Sequence, residues 1–274
     1  MNIRRNPGKL LALALLLAVT LVLWVSAGQD ETEGDGAIGR KFLYETSLTW
    51  QGAIGDLFSA MPAKPPQFKK YTGARTVKLP PAEFKGLAVE EAIRRRRSAR
   101  KFSDRPLKLE ELSQLLWAAQ GVTGERFRKL LRTAPSAGAL YPFEVYVFVN
   151  NVEGLERGLY HYGVREHQLE QVKAGDFRAA VTEAGLDQDM LGAADATFAL
   201  AAVIDRIRFK YGERGWRYIF MESGHISQNI YLQAASMGLG SVAVGAFLDK
   251  KLNELLGLDG VNEAAIALHA VGTL

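Results

Sequence analysis

The sequence predicts an α+β domain whose central sheet is covered by helices. Three stretches carry that prediction. Phe143 to Val149 alternates, with Val145, Val147 and Val149 on one side, as a strand with distinct faces does. Thr197 to Ile204 is apolar throughout, which suits a strand buried on both faces. Tyr218 to Met237 is long enough for a major helix, and Gly238 can close it in the left-handed conformation. Strands and helices interleaved in this way make a sheet with helical cover.

The remaining elements follow in chain order. Residues 1–9 are basic, 10–25 are apolar, and Val25, Ser26 and Ala27 supply small residues before a cleavage point, so residues 1–27 read as an export signal or an N-terminal anchor. The apolar run is about 16 residues, short of the roughly 20 that span a bilayer, which favours a cleaved signal. Contact with a membrane is therefore expected only through this segment if it stays attached, and the body is expected to work outside the cytoplasm, in the periplasm or anchored facing away from it. Residues 28–40 read as a polar, glycine-rich spacer, and the chain from there to about Glu83, with Pro62, Pro65, Pro66, Pro80 and Pro81, as an extended segment wrapping the core; together they make a linker over 28–85. A single domain then covers 86–274. It opens with a helical pattern from Leu87, and Leu109, Leu112, Leu115, Leu116 and Ala119 share a face of a helix that Gly121 ends. Residues 158–172 read as two short strands around a polar turn, and Ser241 to Phe247 and Ala264 to Val271 as the last strands.

Composition excludes several functions. There are no cysteines, so disulfides, thiolate metal sites, iron–sulfur clusters and cysteine nucleophiles are ruled out, and redox chemistry requires a bound cofactor. His161, His167, His225 and His269 are scattered without helical metal-ligand spacing, which argues against a metal enzyme. Of the formal charge of +4, Arg4, Arg5 and Lys9 lie in the leader; without them the body is at +1, too close to neutral for general nucleic-acid binding. Ser223 and Ser241 lack the glycine-flanked pattern of a serine nucleophile.

Three separated segments carry the chemistry. RRRRSARKF at 94–102 is either a solvated helix face or a set of guanidinium forks for phosphate, with Ser98 as a further donor. TAPSAGALYPFEVYVF at 133–148 is a turn leading into a strand, and its small residues Pro135 to Gly138 also let backbone approach a flat ring. FKYGERGWRYIFMESGHISQN at 209–229 sets Lys210 beside Tyr211, a pair common on surfaces but also able to handle protons. Glu222, His225, Gln228 and Asn229, at three- and four-residue spacing, read as polar groups that satisfy one another. The glycines of GLGSVAVGAF follow a helix and precede a strand, the reverse of a dinucleotide fingerprint.

In this order the segments resemble the nitroreductase superfamily, specifically its SagB-type dehydrogenase branch, which includes the FMN-dependent oxidases that turn peptide azolines into azoles. The resemblance covers residues 70–274. It implies a mainly antiparallel sheet flanked by helices, a homodimer with FMN at each subunit interface, and a small-molecule or peptide substrate that exchanges hydride with flavin N5. It assigns Arg96, Arg97, Ser98 and Arg100 to the FMN phosphate and ribityl chain, and Pro135, Ser136, Ala137 and Gly138 to the ring. The backbone of Ala243, Val244, Gly245 and Ala246 would face N5 and the pyrimidine carbonyls, and Lys210 and Tyr211 would be catalytic. The chain departs from the family at its end, where Gly272, Thr273 and Leu274 stand in place of a basic residue that many members add to the phosphate clamp. Alternatives are a nitroaromatic or quinone reductase and a non-catalytic module that retains the fold.

Overall fold

The computed structural model describes residues 38–48, 65–126 and 129–274. The leader, most of the spacer and the first proline lie outside them. The chain divides into two units, Met1–Ser47 and Leu48–Leu274. In the first, Ile38–Glu45 forms helix α1, with Lys41 and Glu45 paired one turn apart. This corrects the extended reading of that stretch: the prolines that forbid helix begin only at Pro62.

The second unit is built on a seven-stranded sheet. Its strands are β1 (Thr76–Lys78), β4 (Phe143–Val149), β5 (Gly158–Gly163), β6 (Gln168–Ala174), β7 (Ala196–Val203), β8 (Leu239–Val244) and β9 (Glu263–Thr273), in the order β1-β6-β5-β4-β7-β9-β8. Every pairing between these strands is antiparallel. A separate ribbon pairs β2 (Val122–Arg126) with β3 (Lys129–Arg132). The helices are α2 (Val89–Arg95), α3 (Leu109–Gln120), α4 (Arg178–Ala184), α5 (Met190–Ala193), α6 (Asp205–Tyr211), α7 (Gly215–Ser236) and α8 (Asp249–Leu256).

Side-chain alternation along the strands makes two cores. On one face Phe143, Val145, Val147 and Val149 of β4 pack with Leu112, Leu115 and Leu116 of α3 and Ile219, Ile226 and Ile230 of α7. On the other, Tyr146, Phe148, Ala199 and Leu268 pack with Val181 of α4, Leu191 of α5 and Leu252 of α8. β4 is buried on both faces, which explains its apolar sequence.

Two boundaries shift from expectation. The long helix begins at Gly215, where a Cβ would lie 3.2 Å from Ile207, so glycine permits the close approach of α6. The strand expected over Ser241 to Phe247 stops at Val244, and Gly245 and Ala246 leave the sheet exposed. Among the described residues no helix is long and apolar enough to cross a membrane, and no cluster of histidine and carboxylate residues could hold a metal.

Candidate active site

Helix α7 is the spine on which the three segments meet. At its start Tyr218 packs edge-on against Tyr211, with ring centroids 4.9 Å apart. Two turns on, the His225 ring Nδ1 lies 3.4 Å from the Pro135 carbonyl. At Tyr231 one phenol oxygen accepts the Ala243 N–H at 2.8 Å and hydrogen-bonds Ser98 Oγ at 3.1 Å, while the Arg96 guanidinium sits 5.1 Å from the ring centre. His225 and Tyr231 are about 9 Å apart along the axis at 1.5 Å per residue. The 96–100 segment also joins the edge of the sheet, since Ala99 N–H donates to the Ser241 carbonyl at 2.9 Å.

Within the arginine run, Arg94 and Arg95 both pair with Glu91 and are spent on it. Arg97 is exposed and turns back to donate to the carbonyls of Arg94 and Arg96 at 3.1 and 2.7 Å. Arg96 and Arg100 have no carboxylate partner among the described residues. A cluster of cations with so few counter-charges suits a phosphate.

The 135–141 loop carries unusual backbone. Gly138 has φ +63, and the non-glycine residues Ala139 and Tyr141 have φ +52 and +50, a conformation that costs of order 1 kcal/mol or more for each side chain. A Cβ on Gly138 would stand 2.8 Å from the Tyr211 hydroxyl and 3.1 Å from Lys210 Nζ. The glycine therefore lets the Lys210–Tyr211 pair close on the loop, and Lys129 Nζ reaches the Gly138 carbonyl from β3 at 3.4 Å. Lys210 is exposed, with its ammonium 5.1 Å from the Tyr211 ring centre, and makes no ion pair among the described residues.

Behind the loop is a polar cluster of which sequence reading names Glu222 and Ser136 but not Arg132 or Gln120. Glu222 is 1% exposed, and neither carboxylate oxygen completes a well-formed hydrogen bond. Burial pushes its carboxyl up to about 7, partly offset by Ser136, Arg132 and Gln120. The terminal nitrogens of Arg132 go elsewhere: they donate to Gln120 Oε1 at 3.1 Å and to the carbonyls of Phe143 and Gln67 at 3.4 and 3.3 Å, while its Nε completes no hydrogen bond. Burial lowers the Arg132 guanidinium to about 10. The expectation that Glu222, His225, Gln228 and Asn229 satisfy one another is corrected: they fan out, Asn229 to the Ala118 carbonyl at 3.0 Å and His225 towards Pro135. Helical spacing puts residues on one face but does not say which neighbouring element captures each. Tyr231, Arg132 and Gln120 gave no local signal, because their partners lie beyond one or two helical turns, 9 or more residues away. His269, one of the scattered histidines, is buried beneath Tyr231; it bonds Ser227 through Nδ1 at 2.9 Å, and burial lowers it to about 3, so it is neutral.

These features fit a flavin phosphate and ring. The cations of 96–100 are donors of the right kind, the glycine at 138 leaves room beside a flat ring, and Gly245 and Ala246 stand exposed past the end of β8; α7 holds the first segment through Tyr231 and the loop through Pro135. Comparison with known proteins agrees. The profile of the Nitroreductase family matches residues 93–273. A candidate nitroreductase of Methanocaldococcus jannaschii is 40% identical over 197 residues, 72% of this chain and 96% of that protein. The microcin B17-processing protein McbC of Escherichia coli is 30% identical over 146 residues, 52% of this chain and 54% of its own. The crystal structure of a candidate nitroreductase from Anabaena variabilis superposes with a TM-score of 0.70 at 27% identity, over 85% of this chain and 45% of that longer one. Fold, site and sequence likeness together place the chain in the nitroreductase family of oxidoreductases.

Proposed function

We propose that the chain is an FMN-dependent oxidoreductase of the SagB type, working as a homodimer on a small molecule or peptide outside the cytoplasm. The observation that carries this reading is the convergence of Ser98, Pro135 and Ala243 on one helix, with Lys210 and Tyr211 closing on Gly138 three residues after Pro135. Bound FMN supplies a hydride acceptor or donor at N5. Arg96, Arg97, Arg100 and Ser98 hold the phosphate and ribityl end, and Tyr231 fixes Arg96 and Ser98 against the strand that ends at Val244. Pro135 to Gly138 would face the ring, and within 243–246 the amides other than that of Ala243, which Tyr231 accepts, would favour the reduced, negatively charged form. Lys210 Nζ and the Tyr211 oxygen lie on one side of Gly138, where either, after giving its own proton to solvent, would take one from substrate carbon or nitrogen as free amine or phenolate and pass it on.

The likeness to McbC supports a peptide substrate. The higher identity to the Methanocaldococcus jannaschii protein favours a second reading, a reductase of small nitroaromatics or quinones. The leader, residues 1–27, supports export, which cell fractionation tests: the body in the cytoplasmic fraction removes that part. The decisive experiment is visible absorption of the purified full chain with added FMN, with the released chromophore identified by mass, followed by turnover of an azoline peptide and a nitroaromatic. Bound FMN and oxidation of the azoline are expected. K210A and Y211F should each lower turnover by about 100-fold or more, the ordinary size of a lost proton-transfer group. A chain that ignores FMN leaves only a binding module.

A further inference from the structure

We infer that Glu222 is a proton-holding residue for the flavin, taking up one proton as the ring is reduced and releasing it on reoxidation, through Ser136 and without touching substrate. The inference rests on the flavin reading above and adds to it a buried acid that the resemblance does not assign.

The geometry is that of a carboxyl kept short of partners. Glu222 lies in the core-facing stripe of α7 between Ile219 and Ile226, both fully buried. The groups facing it come from each packed element. They are Arg132 from β3, Gln120 from the end of α3, and Ser136, with the Tyr141 phenol behind Arg132, from the loop. On its own helix His225 stands one turn on, turned away to Pro135, and Tyr218 one turn back, against Tyr211. None of these compensates a full negative charge. Arg132 gives its terminal nitrogens to Gln120 and two carbonyls and its Nε completes no hydrogen bond; its charge favours Glu144 as well as Glu222 and is opposed by Arg206, so Glu222 has no ion pair of its own among the described residues. Gln120 turns towards Glu222, but its Nε2 completes no well-formed hydrogen bond. A structural carboxylate this deeply buried is ordinarily paired, since an unpaired one costs several kcal/mol.

Ser136 makes the connection to the ring. Its oxygen accepts the Tyr141 N–H at 2.9 Å, which leaves the hydroxyl proton free to point at Glu222. Ser136 is half-buried and precedes the glycine that meets Lys210 and Tyr211, so it stands between the buried acid and the surface assigned to the ring. Two electrons and one proton arriving as hydride leave the ring with one additional negative charge. An ionised Glu222 nearby would oppose that charge. One proton taken from solvent onto the carboxylate leaves the ring and the acid together with no net gain of charge, and reoxidation sends it back.

The test uses the full chain loaded with FMN, titrated at an electrode from pH 6 to 9, as wild type and as E222Q, the isostere of the protonated acid. Each extra proton taken up with two electrons moves the midpoint potential by about 30 mV per tenfold change in proton concentration. The wild type should therefore fall more steeply than E222Q above pH 7 and run parallel to it below. Redox-difference infrared spectra should show a protonated carboxyl band gained on reduction. That band should be absent in E222Q and shifted in S136A, which keeps the acid; should E222Q fail to fold, the wild-type band and its shift in S136A decide. Equal slopes in a flavin-loaded pair, or no carboxyl band on reduction of the wild type, overturn the inference alone. A wild-type chain that binds no flavin overturns the flavin reading and this inference together.

Discussion

The two faces of the sheet carry two buried polar clusters that solve the same problem in opposite ways. On the face away from α7, His161 is 1% exposed and bonds Glu170 through Nδ1 and Glu144 through Nε2, both at 2.9 Å. Glu144 also pairs with Arg206 at 2.5 Å, and Lys69 ties Tyr146 at 2.8 Å to Glu263 at 2.5 Å. Each of these charges meets an opposite one. The α7 face has Glu222, to which Ser136, Arg132 and Gln120 turn but with which none forms an ion pair or a well-formed hydrogen bond. A closed network of this kind fixes the segment around Lys69 and Tyr71 onto the sheet, whereas an acid left open is ready to change its protonation. Burial alone does not separate structural from functional charge; pairing does.

Breaking the closed network should have the largest effect. E144A leaves Arg206 without its carboxylate and His161 with Glu170 alone, and loss of one member of a buried ion pair costs about 3–5 kcal/mol. Urea denaturation should show that loss in the midpoint with little change in slope. The corresponding cut on the open side, E222Q, should stabilise the protein above neutral pH, since it removes a charge that has no partner. If both substitutions destabilise equally, the contrast between the clusters is wrong.

Their pH dependences should have opposite signs on the carboxylates. The folded Glu222 carboxyl sits at about 7 against an ordinary 4.5, so its contribution is fully present below pH 4.5 and is lost as pH rises through 7. The loss amounts to about 3 kcal/mol at 1.4 kcal/mol per unit, and E222Q should abolish it. Burial would raise Glu144 too, but His161, Arg206 and Arg132 outweigh it and hold the carboxyl low, so its contribution is present above pH 4.5 and lost in acid. Burial would lower His161, and its bonds to Glu144 and Glu170 raise it instead. Its contribution is complete below 6.5 and fades as pH rises through the elevated value. Thermal melts from pH 4 to 9 on wild type and E222Q isolate the Glu222 part as their difference.

The same contrast explains what the sequence could reveal. Strand β4 and the helices α3 and α7 are written in local periodicity, and the three site segments announce themselves by clustered arginines, small residues and an adjacent Lys–Tyr pair. The polar clusters are not written locally. Glu144, His161 and Glu170 sit on three different strands, and only the register that pairs Tyr146 with His161 and His161 with Glu170 brings them together. Tyr231 looks like any aromatic on a long helix until Ser98 and Ala243 meet at its hydroxyl. Helices α4, α5 and α8, of eight residues or fewer, carry too few turns for a clear period. Helix α1 was masked by its own composition, a short amphipathic stretch beside glycines and a proline-rich run.

A smaller effect is expected at the loop over the open cluster. G138A puts a methyl group at φ +63, 2.8 Å from the Tyr211 hydroxyl, so the residue is strained and the Lys210–Tyr211 pair must withdraw. The cost to stability should be about 1–2 kcal/mol. Turnover should fall more than flavin affinity, because the pair is displaced while the phosphate end is untouched. Equal losses in both would mean that Gly138 shapes the ring site as a whole.

The smallest effect should come from Y231F, which deletes one oxygen and keeps the ring under Arg96. The Ala243 N–H, now without its acceptor, and Ser98 Oγ each lose one bond. Ser98 is exposed and can turn to water, and Ala243 is exposed as well, so the net cost is near the 1 kcal/mol of an ordinary hydrogen bond. The change belongs to the phosphate end, so FMN dissociation should quicken by about fivefold while turnover of the loaded enzyme stays close to wild type. Fluorescence recovery on flavin release measures the first and steady-state kinetics at saturating FMN the second. A large fall in turnover at full loading would show instead that Tyr231 acts chiefly through the backbone of 243–246, where the ring reacts, rather than through Ser98 at the phosphate end.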